Sequence, residues 1–295
     1  MLNKIITHQQ IFICFLLVYL FSNMLLNFDS DKFNYLILIA LFFVSSLGVS
    51  HGALDGKLIW HGINKNIQRL ILFASYLLLV LSGWLLWISN PEIGLALLLI
   101  MAVFHFGNAD LKFLSLPDIN IKLSWGFAMT FLPLLFKKNL VASIFYNLIG
   151  TKISDTLIVV IYCILILSII RIFWYFLKNI ITSKVKSIWY KDKEILLLLE
   201  LSLLIFLSYY THPLIWFAIY FCGLHGIRSL IDSGFNWDID LKWIVIFTVP
   251  VLLFIYLTHG RYWDSEMYSI IFPILGSLTI AHMCLPSLIN YIKNK

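Results

Sequence analysis

Long apolar runs constrain this chain more than any other feature. No charged residue occurs from Leu70 to Pro91, and comparable stretches recur from end to end, divided by short connections that hold most of the Lys and Arg. A helix that crosses a bilayer needs about 20 mostly apolar residues, whereas a helix at the surface of a soluble domain keeps a polar face. Composition agrees. Of 295 residues, 61% are hydrophobic and only 12% are charged, with a mean hydropathy of +0.93, against about 25% charged in ordinary soluble domains. No single core could absorb that excess of apolar side chains, which excludes a soluble enzyme. The expected fold class is all-α: a polytopic transmembrane helix bundle of about 8–10 spans, forming a single integral membrane domain over 1–295.

Spans are expected at 9–28, 33–57, 69–88, 92–111, 121–136, 155–177, 194–210, 213–232, 243–258 and 265–292. Lys137 and Lys138 interrupt the fifth, so that 139–150 reads as its continuation, a re-entrant piece or an interfacial helix. In the ten-span arrangement about 16 Lys and Arg fall on the side of the N-terminus and about five on the other (Lys32, Lys137, Lys138, Lys152 and Arg261). Cytoplasmic loops are enriched in these residues, so the expectation is a multi-pass protein of the cell membrane with both termini cytoplasmic. The formal charge of +6 has the same explanation: it meets anionic lipid rather than nucleic acid. The segment around Ser22-Asn23-Met24 is not a small-residue cleavage site, so the first apolar run is read as a span and not a removed signal. Cys14, Cys163, Cys222 and Cys284 show no C-x-x-C spacing and are expected as small buried apolar residues.

Ionisable side chains inside the hydrocarbon are costly and mark function by default. Four of the eight histidines fall within spans: His51, His105, His225 and His282. All four lie on helices of one orientation, past the middle of each. His51 precedes Lys57 by six residues and His105 precedes Lys112 by seven, so both sit roughly 9–10 Å below the same boundary at 1.5 Å per residue. Imidazoles that meet in a dry site either bind a transition metal as neutral ligands or relay protons and form buried hydrogen bonds. Spacing alone names no metal. Asp55 lies one turn after His51 and suits the free ring N–H of a ligating histidine. Asp110 lies about 140° round the helix from His105, which points it at another helix or the head groups and leaves Asn108 as the same-face neighbour. His8, His61, His212 and His259 are expected at solvated or interfacial positions.

The motifs His51-Gly52-Ala53-Leu54-Asp55, Phe104-His105-Phe106-Gly107 with Asp110, Tyr220-Phe221 leading to His225 and Arg228, and His282-Met283 resemble, in this order, the signature of the Brp/Blh-type β-carotene 15,15'-dioxygenase family. The resemblance covers most of the chain. It implies an integral membrane oxidoreductase that splits β-carotene at its central double bond with O2 to give retinal, using Fe(2+) held by histidines. Carried over by motif, His51, His105 and His225 match ligand positions. Where the family has a second histidine four residues after the first in the third motif, this chain has Ser229, a poor replacement for an imidazole on iron. Three outcomes are open: His282 completes the metal set, with Asp55, Asp110 and Ser229 around it; a three-histidine site operates with water; or the chain is a non-catalytic relative that binds carotenoid or lipid. Implied partners are a hydrophobic carotenoid, O2, the bilayer and, through the product, a retinal-binding opsin.

Trp60, Phe104, Phe106, Trp216, Tyr220 and Phe221 lie near the proposed ligands in sequence and suit a hydrocarbon substrate, although in a chain with 24 Phe and 10 Trp ordinary packing is the commoner explanation of such aromatics. Membrane desaturases use clusters of histidines two to four residues apart, which are absent here. A small-molecule transporter would be expected to show repeats and matching broken helices. No such symmetry is seen, although Pro133, Pro250 and Pro273 can kink their spans.

Overall fold

The computed structural model describes residues 2–26, 30–114, 118–182, 188–259 and 267–293. All regular structure among them is helical. In chain order the α-helices are α1 (Leu2–Leu26), α2 (Ser30–Phe43), α3 (Val49–Gly62), α4 (Asn66–Ser89), α5 (Pro91–Asp110), α6 (Ile119–Phe131), α7 (Lys138–Ile149), α8 (Asp155–Thr182), α9 (Ile188–Tyr210), α10 (Pro213–Ala218), α11 (Ile227–Asp232), α12 (Trp237–His259) and α13 (Tyr268–Lys293). Two wide π-helical segments, Val44–Gly48 and Ile219–Gly226, join α2 to α3 and α10 to α11. The protein is an all-α polytopic helix bundle.

Among the described residues, seven helices are long and apolar enough to cross a membrane, and an eighth span results if α6 with its 3-10 extension and α7 are counted together. The expected fifth span is helical but broken: α6 with its 3-10 extension and α7 form either one bent span or a re-entrant piece. Pro133 ends α6 in a 3-10 turn, and α7 leaves at 107°. A proline cannot donate its amide to the preceding turn and its ring clashes there, so the break falls where the sequence demands it. The expected spans 33–57 and 194–210 are also helical but do not qualify alone. The first is divided by a π segment, and α9 carries Lys193, Glu194 and Glu200.

The outward faces are apolar: Leu78, Leu167 and Leu257 are each more than 60% exposed. In water such a surface would aggregate, whereas lipid accepts it. Inside, one large core runs through α1, α2, α5–α10 and α13, and a smaller one joins α3, α4 and α13 through Ile59, Leu72, Tyr76, Ala281 and Leu285. The closest helix pair is α5 with α6. A Cβ on Gly107 would stand 2.0 Å from the Lys122 carbonyl oxygen, and one on Gly126 would stand 1.8 Å from that of Val103. Small residues at such a crossing let two backbones touch where no water drives association. The four cysteines are free. Cys14 and Cys163 face outward rather than inward as expected, because a lipid-facing position accepts a thiol as readily as a core does.

Candidate active site

The Gly107–Gly126 crossing sets the position of two residues on α5, His105 and Asp110. Asp110 is 1% exposed, a carboxylate at the very end of an apolar helix. Three donors from two other elements converge on it. Trp125 on α6 donates Nε1–H to Oδ2 at 3.0 Å, and Tyr220 donates its hydroxyl to the same oxygen at 2.7 Å. His225 Nδ1 lies 2.8 Å from Oδ1. Arg228 donates Nη1–H to the Asp110 backbone carbonyl at 3.2 Å, and its Nη2 bonds both oxygens of Glu200 on α9, at 2.7 and 3.0 Å. Glu200 and Arg228 are themselves buried. A buried carboxylate is tolerable only when its lone pairs are filled, and here they are.

His225 lies in the second π segment and is fully buried. With Nδ1–H given to Asp110, its Nε2 presents a lone pair. That nitrogen is 3.1 Å from His105 Nε2. The His282 ring packs edge-on against His105 with centroids 5.2 Å apart. His282 Nδ1 lies 2.8 and 3.0 Å from the two oxygens of Asp55, which is 1% exposed. Asp55 therefore serves a histidine from α13, and Asp110, as its angle on the helix led one to expect, serves one from another element, the second π segment. Asn108 is exposed and donates to the Phe104 carbonyl of its own helix.

Three of the four histidines singled out in the sequence, from α5, the second π segment and α13, are thus brought together, with two carboxylates behind them. His51 lies on α3 one turn before Asp55, but its side chain lies outside the described residues. Ser229 is half-buried on α11, four residues after His225. Among the described residues, no group of three or more His, Cys, Asp or Glu is arranged to hold a metal ion as it stands. The donor chemistry nevertheless fits one. Two nitrogens bound to one transition ion at right angles are about 3 Å apart, given metal–nitrogen bonds of about 2.1 Å. Carboxylates on the far ring nitrogens are what orient metal-binding histidines. The same 3.1 Å contact also serves as an N–H···N hydrogen bond.

Two π-helical turns adjoin this site, and they pack on each other: Cys222 Sγ bonds the Phe43 carbonyl at 3.3 Å, and Gly48 lies against the Phe221 ring. Such widened turns concentrate at functional sites, because they redirect a side chain without breaking the helix. Nothing in the hydrophobic periodicity announces them.

From His105 an apolar cleft extends between α5, α6, α7, α10 and α13, with about 1030 Å³ of empty space counting its open end. Phe106, Trp216 and Phe221 line it, as do Thr130 and Thr279, whose hydroxyls donate to the carbonyls of Gly126 and Leu275 in their own helices. His105 is the polar group left to face the cleft. Of the other expected aromatics, Phe104 faces a groove on the outside, Trp60 lies under the Arg69 guanidinium, and Tyr220 is committed to Asp110. His8 departs from its expected interfacial place: it is buried, with Nε2 2.9 Å from the Gly223 carbonyl oxygen.

A profile of the family described as Beta-carotene 15,15'-dioxygenase matches residues 42–290. The chain belongs to this family. Within the family, it is 28% identical over 273 residues to a curated relative named Beta-carotene 15,15'-dioxygenase from the uncultured marine bacterium 66A03. That match covers 83% of this chain and 91% of the relative. No solved structure matches. The matched region of this β-carotene 15,15'-dioxygenase family member takes in every residue of the histidine–carboxylate cluster and the whole apolar cleft.

Proposed function

We propose that the protein is a membrane-embedded dioxygenase that cleaves β-carotene, or a related carotenoid, at its central double bond with O2 to give retinal. The observation that carries this reading is the apolar cleft ending on His105, in contact with His225 and His282, in a chain of this family. A long hydrocarbon has no group to hydrogen-bond, so a site for it needs length, apolar walls and one reactive end. The cleft supplies the apolar walls and ends on His105.

Fe(2+) is the proposed cofactor, held by His51, His105, His225 and His282. His282, packed on His105, takes the place of the histidine that Ser229 does not supply. When bound, ferrous iron supplies an O2-binding Lewis acid. The chain's own residues do the rest. Asp110 and Asp55 take the Nδ1–H of His225 and His282, which leaves both Nε2 atoms as neutral donors. Trp125 and Tyr220 hold Asp110 in place, and Arg228 holds its backbone. Phe106 and Phe221 exclude water and align the polyene. No ionised base is needed, in keeping with carboxylates that sit behind the histidines and not in the cleft. The setting is the cell membrane, with both termini cytoplasmic, and released retinal would serve a retinal-binding opsin.

Production in bacteria that accumulate β-carotene tests the reading. The wild-type chain should bleach the cells and yield retinal. His105→Ala should abolish this, and Ala102→Phe, which fills the cleft one turn from His105, should lower it at least tenfold with the protein still in the membrane. Unchanged colour with the wild-type chain present would overturn the proposal and favour a carotenoid- or lipid-binding relative.

A further inference from the structure

A second cavity lies on the outside of the bundle, in the groove between α5, α6 and α8, with about 1090 Å³ of empty space counting its open side. Its floor and walls are mostly apolar, with Phe127 and Ile164 among them. Four polar residues break that surface: Asn120 and Ser124 on α6, Ser168 and Arg171 on α8.

Arg171 is the most informative. It is an exposed cation well inside the 28-residue apolar helix α8. Among the described residues no carboxylate pairs with it. An arginine at such a place marks a function by default and calls for a partner. The serines point the same way. Ser45, Ser82, Ser202 and Ser277 each return their hydroxyl proton to a carbonyl one turn back in their own helix. Ser124 and Ser168, both 7% exposed, have no such bond, and no other partner among the described residues. Each keeps a nearly buried hydroxyl turned to the groove. Asn120, in the first turn of α6 just after its Asp118 cap, puts this polar end at the mouth where α6 begins.

A cation, two unpartnered hydroxyls and a carboxamide above an apolar trough describe a receptor for an amphiphile with an anionic head. Guanidinium binds phosphate oxygens in a two-pronged fashion, and serine hydroxyls donate to the remaining ones. We propose that this groove holds one glycerophospholipid with an anionic headgroup, its phosphate at Arg171, Ser124 and Ser168 and an acyl chain along Phe127 and Ile164. Leu99 and Phe131 line both this groove and the inner cleft. The seated acyl chain therefore lies against the back wall of the cleft that ends at His105. The site is separate from the histidine cluster and does not depend on what that cluster does.

Native mass spectrometry of the full-length protein in detergent, with matched dioleoyl lipids added in turn, tests the assignment. Phosphatidylglycerol should be retained as one molecule per chain, at least tenfold over phosphatidylcholine. Arg171→Gln should bring the two lipids level, while Arg171→Lys keeps most of the preference. Leu167→Trp, which fills the groove from its rim, should lower retention of both. Glycerol phosphate added in excess should not displace the lipid. Equal retention of the two lipids by the wild-type chain, an unchanged preference in Arg171→Gln, or displacement by glycerol phosphate would each overturn it; the last would mean a headgroup or ion site without the groove. Should Arg171→Gln fail to fold, salt decides on the wild-type chain: the preference must shrink as ionic strength rises, and a salt-independent preference overturns the proposal.

Discussion

His225 uses both ring nitrogens, one on Asp110 and one on His105, and this fixes its tautomer. The carboxylate that does so is held by two further donors on its other oxygen, so an isosteric change there is severe. Asp110→Asn puts an amide where Trp125 and Tyr220 must donate. If the amide oxygen turns to His225, its NH2 faces their N–H and O–H. Each donor left unpaired in the interior costs about 1–3 kcal/mol. The expected outcome is a lower Tm and, with iron held as proposed, an iron affinity reduced by about 10–100-fold, the usual effect of losing a carboxylate behind a metal-binding histidine. Thermal unfolding and metal analysis of the purified variant check both. His105, His225 and His282 and the two aspartates stood out in the sequence because ionisable groups are rare in an apolar chain. Their pairing did not. The angle of Asp110 on its helix pointed it at another element, but which histidine it meets, His225 across 115 residues, was not readable, nor was the bond of Asp55 to His282 across 227. Local periodicity reports which face a side chain occupies and says nothing about which helix comes to meet it.

At the scale of elements, the α5–α6 crossing positions His105 and Asp110 together. Gly126→Ala sets a methyl group against the Val103 carbonyl, where only backbone movement can make room. Overpacking of this kind costs about 1–3 kcal/mol. The variant should unfold at lower temperature and should lose more oxygenase activity than stability, because the shift carries His105 away from His225. A loss of activity no larger than the loss of folded protein would show that the crossing is only structural. The start of α10 gives a pH dependence. His212 caps this helix, accepting from the Leu214 N–H at Nδ1. Burial first, and Lys137 second, hold its pKa at about 4, below the ordinary value of 6.5. The unfolded chain therefore takes up the proton first. The contribution of His212 is complete above pH 6.5 and is lost as pH falls toward 4. Thermal unfolding across that window should show a fall in Tm that His212→Asn removes; an identical fall in the variant would assign it to other groups. Helix content and the break at Pro133 were legible from apolar runs and proline chemistry. The two π segments were not, since a one-residue widening leaves the apolar pattern of a helix intact.

For the whole molecule, the apolar composition has two uses. Outward faces rich in Leu and Ile suit a bilayer, and the inward cleft from His105 suits a guest as apolar as the lipid around it. The sequence told membrane protein from soluble protein at once, because that distinction depends on amounts. It could not tell a lipid-facing Phe104 from a cleft-facing Phe106, two residues apart, because that distinction depends on how the helices pack. The central claim concerns what enters the cleft and where it is cut. Its most direct measurement is product analysis on purified protein, loaded with Fe(2+) in detergent and supplied with β-carotene and O2. Retinal as the single product, two molecules for each β-carotene consumed and none from His105→Ala, is the result expected. Unconsumed β-carotene, or a pair of unequal aldehydes from cleavage off centre, would contradict the account.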